Sequence, residues 1–156
     1  MLIVFDLDDT LFHSSDQMRY ETRWQDVKNI TPFTGVHEFL RTFPARKILL
    51  TWETDQGLQD EKINTLGIRH FFEEVIICSS NQEKKECLAR IKQKYSREEI
   101  CVVGDRIDAE IQFGNELGMK TVRLQYGKYR EMMPQHAFQQ AHHTISQFSQ
   151  LRGLLE

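Results

Sequence analysis

The stretch Met1-Leu2-Ile3-Val4-Phe5-Asp6-Leu7-Asp8-Asp9-Thr10 decides the fold. It opens on an apolar run that ends at Asp6, where a group of acids begins. The run contains no alternating polar residues, so it predicts a strand that is covered on both faces, as in a parallel sheet flanked by helices.

The rest of the chain repeats this pattern. Further apolar runs occur at 48–50, 75–78 and 100–103, and a less regular one at 121–124. Segments with helical spacing lie between or after them, at 35–40, 55–66, 81–95, 107–117 and 145–155. Strands that alternate with helices of this length predict an α/β, Rossmann-like parallel sheet of about five strands with helices on both faces.

Length and composition limit what else the chain contains. A chain of 156 residues with 40% hydrophobic residues predicts a single domain over 1–156. The net charge of -3 disfavours nucleic acid as a partner. No run is long enough for a membrane span or a signal peptide. Three cysteines without a CxxC spacing indicate reduced thiols, and hence a cytoplasmic protein.

Acidic residues gather where the predicted strands end. Asp6 and Asp8 follow the first strand, Thr51 ends the second and Asp105 follows the fourth. Ligands of such sheets bind beyond the carboxyl ends of the strands, so these side chains are expected to meet. Close carboxylates repel unless a cation is present, and oxygen ligands of this kind suit Mg2+. One carboxylate would then be free to attack phosphorus and form an aspartyl-phosphate.

The same residues carry a resemblance to a known family. Asp6-Leu7-Asp8-Asp9-Thr10 resembles the first motif of the haloacid dehalogenase (HAD) superfamily. Thr51, Lys84 and Gly104-Asp105 match its second, third and fourth motifs in the same order along the chain. Together the four motifs are specific, although each alone is weak.

The resemblance implies a role for each matching residue. Asp6 would be the nucleophile and a metal ligand, and Asp8 the general acid and base, with its backbone carbonyl on the metal. Asp105 would complete the Mg2+ site. Substrate contacts would come from Thr10, Thr51, Trp52 and Lys84. Since the dehalogenases of the family lack an acid at the Asp8 position, the resemblance is to a phosphatase.

Two assignments stay open on sequence alone. The lysine of the third motif is Lys84 or Lys85, with Lys84 favoured by its offset from the apolar face of the helix. The second acid of the fourth motif is Asp108 or Glu110, because Ala109 occupies the position between them.

No separate cap domain is expected, although many members of the family carry one. The stretches between Thr10 and Phe33 and between Thr51 and Lys84 are both shorter than the roughly 40 residues that a stable domain needs. The predicted site is therefore open, unless a second subunit or residues 13–31, as a small flap or rudimentary cap, cover it.

These observations favour a Mg2+-dependent phosphomonoester hydrolase. Its substrate would be a small phosphorylated metabolite or a phosphoprotein, and a homo-oligomer is one way to cover the site. The alternatives are a phosphotransferase or phosphomutase on the same core, or a receiver-like signalling domain that is itself phosphorylated on Asp. A receiver needs its acceptor after the third strand, where this chain has Cys78-Ser79-Ser80.

Overall fold

A computed structural model describes residues 1–156 as one parallel sheet with helices packed on it. The strand order is β3-β2-β1-β4-β5-β6 and every pairing is parallel. From β1 the chain builds outward to β2 and β3, then returns to place β4 on the other side of β1. This reversal opens a crevice beyond the carboxyl ends of β1 and β4. The strands are β1 Leu2–Phe5, β2 Arg46–Trp52, β3 Glu74–Cys78, β4 Ile100–Gly104, β5 Lys120–Leu124 and β6 His143–Ile145.

Alternate residues of the central strands enter two separate cores. Ile3 and Phe5 of β1 belong to a large apolar cluster on one face, whereas Leu2 and Val4 belong to a smaller cluster on the other. All four are almost fully buried. Burial on both faces explains why these strands are continuously apolar.

The helices divide between the two faces of the sheet. Residues of α3, α4 and α7 fill the larger core, and residues of α5 fill the smaller one, with side chains from α6 packed against it. No helix is both long enough and apolar enough to cross a membrane. The helices are α1 Ser14–Gln17, α2 Arg23–Asp26, α3 Val36–Thr42, α4 Leu58–Leu66, α5 Asn81–Lys94, α6 Gln112–Glu116 and α7 Leu151–Leu155.

The predicted α/β class with a parallel sheet is confirmed, but the sheet has six strands instead of about five. The additional strand, β6, has three residues, two of them exposed, so it carries no apolar run to reveal it. The predicted helix at 145–155 is wrong in its first half, where a strand end and a 3-10 turn at Phe148–Gln150 precede the helix. Ile145 ends β6, and the α-helix begins only at Leu151.

Residues 13–31 form a loop that leaves and rejoins the core at one place. A bridge between Phe12 and Pro32 joins its two ends, and the Phe33 amide donates to the Leu11 carbonyl at 2.9 Å. Within the loop lie the single-turn helices α1 and α2 and a 3-10 turn at Val27–Asn29. Val27 and Ile30 anchor it, because both are buried in the larger core.

Candidate active site

The candidate site lies at the crevice where the strand order reverses. Asp6 directly follows β1, and its amide donates to the Val103 carbonyl of β4 at 3.0 Å. Asp105 directly follows β4, and Thr51 lies near the end of β2. The parallel register therefore brings together the side chains that sequence analysis had placed at strand ends.

Three buried carboxylates and one ammonium group form the floor of this site. Asp6, Asp105 and Glu110 each offer an oxygen, and these three oxygens lie within 4.8 Å of one another. Lys84 Nζ donates to Asp6 Oδ1 at 2.8 Å and to Glu110 Oε1 at 2.5 Å. One positive charge thus faces three carboxylates, and all four side chains are buried.

Burial and mutual repulsion alter the ionisation of this cluster. Burial and the nearby negative charge of Glu110 together raise the pKa of Asp6 to about 7, although the positive charge of Lys84 opposes them. Burial and the charges of Asp6 and Glu110 also raise the pKa of Asp105 well above its ordinary value. An all-oxygen donor set with excess negative charge fits a hard divalent cation such as Mg2+. Asp6, Asp105 and Glu110 are the residues that would hold it.

Glu110, not Asp108, reaches this cluster. The chain at Ile107–Ile111 forms a wide π-helical turn, which brings Glu110 back over Gly104. A Cβ at position 104 would lie only 2.8 Å from the Glu110 Cβ, so this approach requires glycine. Asp108 points elsewhere and accepts from Arg106 Nε at 2.6 Å. This placement favours Glu110 of the two acids that the sequence left open.

The structure also separates the two lysines between which the sequence did not decide. Lys84 lies in the cluster, whereas Lys85 is exposed and pairs with Glu116 at 3.4 Å. Lys84 nevertheless is not among the residues that line the cavity, because it is buried and its ammonium group donates to Asp6 and Glu110. Thr10 is also fully buried, and its hydroxyl lies 3.5 Å from Asp6 Oδ2. In this structure both expected substrate contacts therefore reach Asp6 instead of the cavity.

Asp8 also lines the cavity, in contact with two α4 residues that sequence analysis missed. Gln59 Nε2 donates to Asp8 Oδ2 at 2.9 Å and to Thr51 Oγ1 at 2.7 Å. Lys62 Nζ donates to Asp8 Oδ1 at 2.8 Å. Gln59 and Lys62 are buried, while Asp8 is about one-third exposed. Their spacing of three places both on one face of α4, but nothing in the local sequence distinguishes that face from a solvated one.

A cavity of about 390 Å³ opens above these groups. Trp52 from β2 and Tyr129 from the loop after β5 form part of its wall. Residues of the 13–31 loop contribute another part: Ser14, Ser15, Met18, Arg19, Tyr20 and Arg23. Arg23 forms an ion pair with Asp55 in the loop before α4, so the 13–31 loop reaches across to the opposite wall.

Asp9 fastens that loop to the edge of the site. Its carboxylate accepts from the Ser15 amide at 3.1 Å and from the Ser15 hydroxyl, while the Lys128 amide approaches at 3.5 Å. Gly127 has a φ of 75°, and a Cβ there would collide with the Asp9 carboxylate. Asp9, the third acid of the first motif, therefore has a structural role, because it joins the loop after β1 to the loop after β5.

Comparison with known sequences gives one consistent result. A family model described as HAD-hydrolase-like matches residues 84–151. A glyceraldehyde 3-phosphate phosphatase from Pyrococcus furiosus is 30% identical, over 89% of this chain and 65% of its own length. The enzymes of the same name from Methanocaldococcus jannaschii and Methanopyrus kandleri are 37% and 42% identical, over 68% and 49% of this chain. This chain spans between about a third and two thirds of the length of these relatives.

Comparison with solved structures supports the same fold. The putative HAD-hydrolase YfnB from Bacillus subtilis, bound to magnesium, matches with a TM-score of 0.74 at 14% identity, covering 99% of this chain and 98% of that one. A haloacid dehalogenase-like hydrolase from Streptococcus pneumoniae matches with a TM-score of 0.75, also at 14% identity and with the same coverage of both chains. The motif order, the family match over residues 84–151, the related phosphatases and this fold agree with one another: the chain is similar to members of the haloacid dehalogenase superfamily.

Proposed function

We propose that this protein is a Mg2+-dependent phosphomonoester hydrolase that works through an aspartyl-phosphate on Asp6. The observation that carries the proposal is the buried cluster of Asp6, Asp105 and Glu110 at the floor of a cavity that a further carboxylate, Asp8, also lines. The cluster suits a cation and a nucleophile, while Asp8 is exposed enough to exchange protons.

Each side chain then has a defined task in two steps. Lys84 holds Asp6 Oδ1 in place, and an Asp6 oxygen attacks phosphorus as the bond from phosphorus to the leaving oxygen breaks. Asp8 gives its proton to that leaving oxygen. In the second step Asp8 takes a proton from water as the water attacks the phosphorus, which releases inorganic phosphate and restores Asp6. A bound Mg2+ would neutralise the negative charge of the floor and of the arriving phosphate.

The cavity favours a small phosphorylated metabolite over a phosphoprotein as the substrate. The 13–31 loop walls the site, and its Arg23 contacts Asp55 on the far side. A volume of about 390 Å³ lies in the range that small-molecule ligands occupy. The related archaeal phosphatases are named for a three-carbon substrate, glyceraldehyde 3-phosphate, which makes that compound the first to test.

The alternatives differ in the fate of the phosphoryl group. A phosphotransferase or mutase would pass it to a hydroxyl acceptor, and a receiver-like domain would keep it. The receiver alternative is disfavoured because the third strand leads into Ser79 and Ser80, and the Ser80 side chain caps α5. We also infer a cytoplasmic location, because Cys78, Cys87 and Cys101 are all free and buried.

Hydrolysis of p-nitrophenyl phosphate and of glyceraldehyde 3-phosphate tests the proposal. We expect steady release of inorganic phosphate with Mg2+, none after EDTA treatment, and a loss on the order of 10⁴-fold or more in Asp6→Asn. Lys94→Met, at the exposed end of α5, is the matched surface control and should retain activity. A stable phosphoprotein without turnover would support the receiver instead, and transfer to added alcohols without phosphate release would support the transferase.

A further inference from the structure

Asp8 is hydrogen-bonded to two side chains, Gln59 and Lys62, that have no role in the proposed reaction. Both carboxylate oxygens of Asp8 are engaged, one by Gln59 and the other by Lys62. The same Gln59 amide nitrogen also donates to the Thr51 hydroxyl at 2.7 Å. A single side chain of α4 therefore ties the end of β2 to the loop after β1.

The burial of these two polar side chains indicates a specific role. Gln59 is 1% exposed and Lys62 is 8% exposed, so each loses nearly all of its contact with water. Burying an amide or an ammonium group is costly unless its hydrogen bonds are restored, and here Asp8 and Thr51 restore them. The Asp8 side chain is held at two points on a folded helix and cannot turn freely toward solvent.

We propose that Gln59 and Lys62 are positioning residues that fix the Asp8 carboxyl group, so that its protonated form gives its proton to the leaving group. This inference rests on the proposed hydrolase function, in which Asp8 protonates the departing oxygen. Proton transfer needs donor and acceptor within hydrogen-bond reach, so a freely turning Asp8 would spend less time in the productive orientation. Both residues line the cavity, which places their contacts with Asp8 at the space that a substrate would occupy.

The inference predicts an effect that depends on the leaving group. Nitrophenolate leaves readily without a proton, whereas the alkoxide of glycerol 2-phosphate needs one as the bond breaks. Loss of Asp8 positioning should therefore slow glycerol 2-phosphate hydrolysis more than p-nitrophenyl phosphate hydrolysis. General damage to the fold, to Asp6 or to metal binding would slow both substrates alike.

The test compares kcat/KM for the two substrates in Gln59→Leu and Lys62→Met. We expect the ratio of glycerol 2-phosphate to p-nitrophenyl phosphate activity to fall by on the order of tenfold or more in each variant. Lys62→Arg, which keeps a donor for Asp8, should recover part of that ratio, and the surface control Lys94→Met should leave it unchanged. Thermal melting shows whether each variant is folded, and Lys62→Gln replaces Lys62→Met if the latter is not.

A double-mutant cycle with Asp8→Asn gives the decisive result. If Lys62 and Gln59 act through Asp8, adding either substitution to Asp8→Asn should change the ratio no further. Equal losses on both substrates, or additive losses in the cycle, would overturn the inference. A rise in KM alone on both substrates would overturn it too, because it would make Lys62 a direct phosphate ligand. Wild-type protein without Asp6-dependent phosphate release would instead reject the hydrolase function itself.

Discussion

Asp6 and Asp8 are only two residues apart, yet they occupy opposite environments. Asp6 is buried among Asp105, Glu110 and Lys84, and its pKa is raised to about 7. Asp8 is about one-third exposed and is held by neutral and positive donors of α4. Asp6 is surrounded by other negative charges and suits a cation, whereas the negative charge of Asp8 is already paired with Lys62.

This difference explains how two identical side chains can perform different tasks. A nucleophile benefits from a fixed position beside a cation, while a general acid and base needs access to the leaving group and to water. The sheet supplies the first environment through strand ends, and α4 supplies the second through its buried polar face. The following substitutions separate the two environments.

The largest effect is expected on stability, when the Asp6 cluster loses its lysine. Lys84→Met leaves three buried carboxylates without their cation and should lower the free energy of unfolding by about 3–5 kcal/mol in metal-free protein. Lys85→Met, one residue away on the surface, should stay within about 0.5 kcal/mol of wild type. Urea denaturation in EDTA measures both, and equal losses would contradict the assigned burial of charge.

The pH dependence of stability should also reveal the Asp6 environment. The pKa of Asp6 is about 7 in the folded chain and has an ordinary value of 3.8, so between these values the folded state keeps a proton that the unfolded chain has released. Raising the pH through this window should therefore destabilise metal-free protein, by up to about 1.4 kcal/mol per pH unit. Saturating Mg2+ should remove the slope because it favours the ionised carboxylate. Melting curves from pH 4 to 7, with and without Mg2+, test this, and identical slopes would argue against a metal at Asp6.

Glu110 and Asp108 offer a matched pair within one turn. Glu110→Gln removes a charge from the cluster and should weaken Mg2+ activation by about tenfold or more. Asp108→Asn removes a charge that only Arg106 contacts, and its Mg2+ titration should match wild type. Activity measured against Mg2+ concentration checks the pair, and a shift in Asp108→Asn alone would reverse the assignment.

The smallest effect is expected where the 13–31 loop meets the opposite wall. Arg23→Gln breaks the partly exposed ion pair with Asp55, so the melting temperature should barely change. The KM for a small substrate should rise several-fold, because the wall of the cavity is less well held. Asp55→Asn should give the same KM, whereas a fall in kcat without a change in KM would show that the contact serves the chemistry instead.

The sequence predicted the Asp6 environment far better than the Asp8 environment. Asp6, Thr51 and Asp105 follow apolar runs, and parallel strands bring their ends together, so position along the chain implied position in space. Lys84 was found only through the resemblance, since a lysine near a helix start is usually solvated. The strand count was short by one because β6 relies on backbone pairing with β5 and not on an apolar run.

The contacts of Gln59 and Lys62 were not predictable by the same reasoning. Whether a polar residue on a helix is buried can be predicted only when the element that faces it is known. Here that element is the loop after β1, which carries Asp8. The choice of Glu110 over Asp108 likewise depends on the π-helical turn at Ile107–Ile111, whose hydrogen bonds no residue pattern identifies.

The bridge between Phe12 and Pro32 makes the 13–31 loop separable from the sheet. Because its two ends meet, and because only Val27 and Ile30 of the loop are buried in the larger core, the other residues between the ends can be exchanged while the register of β1 and the position of Asp6 stay as they are. Under the proposed function, this loop would contribute to substrate choice while the strand ends would carry the chemistry. If that function holds, exchanging this one loop would change the substrates that are accepted and leave the buried carboxylate cluster unchanged.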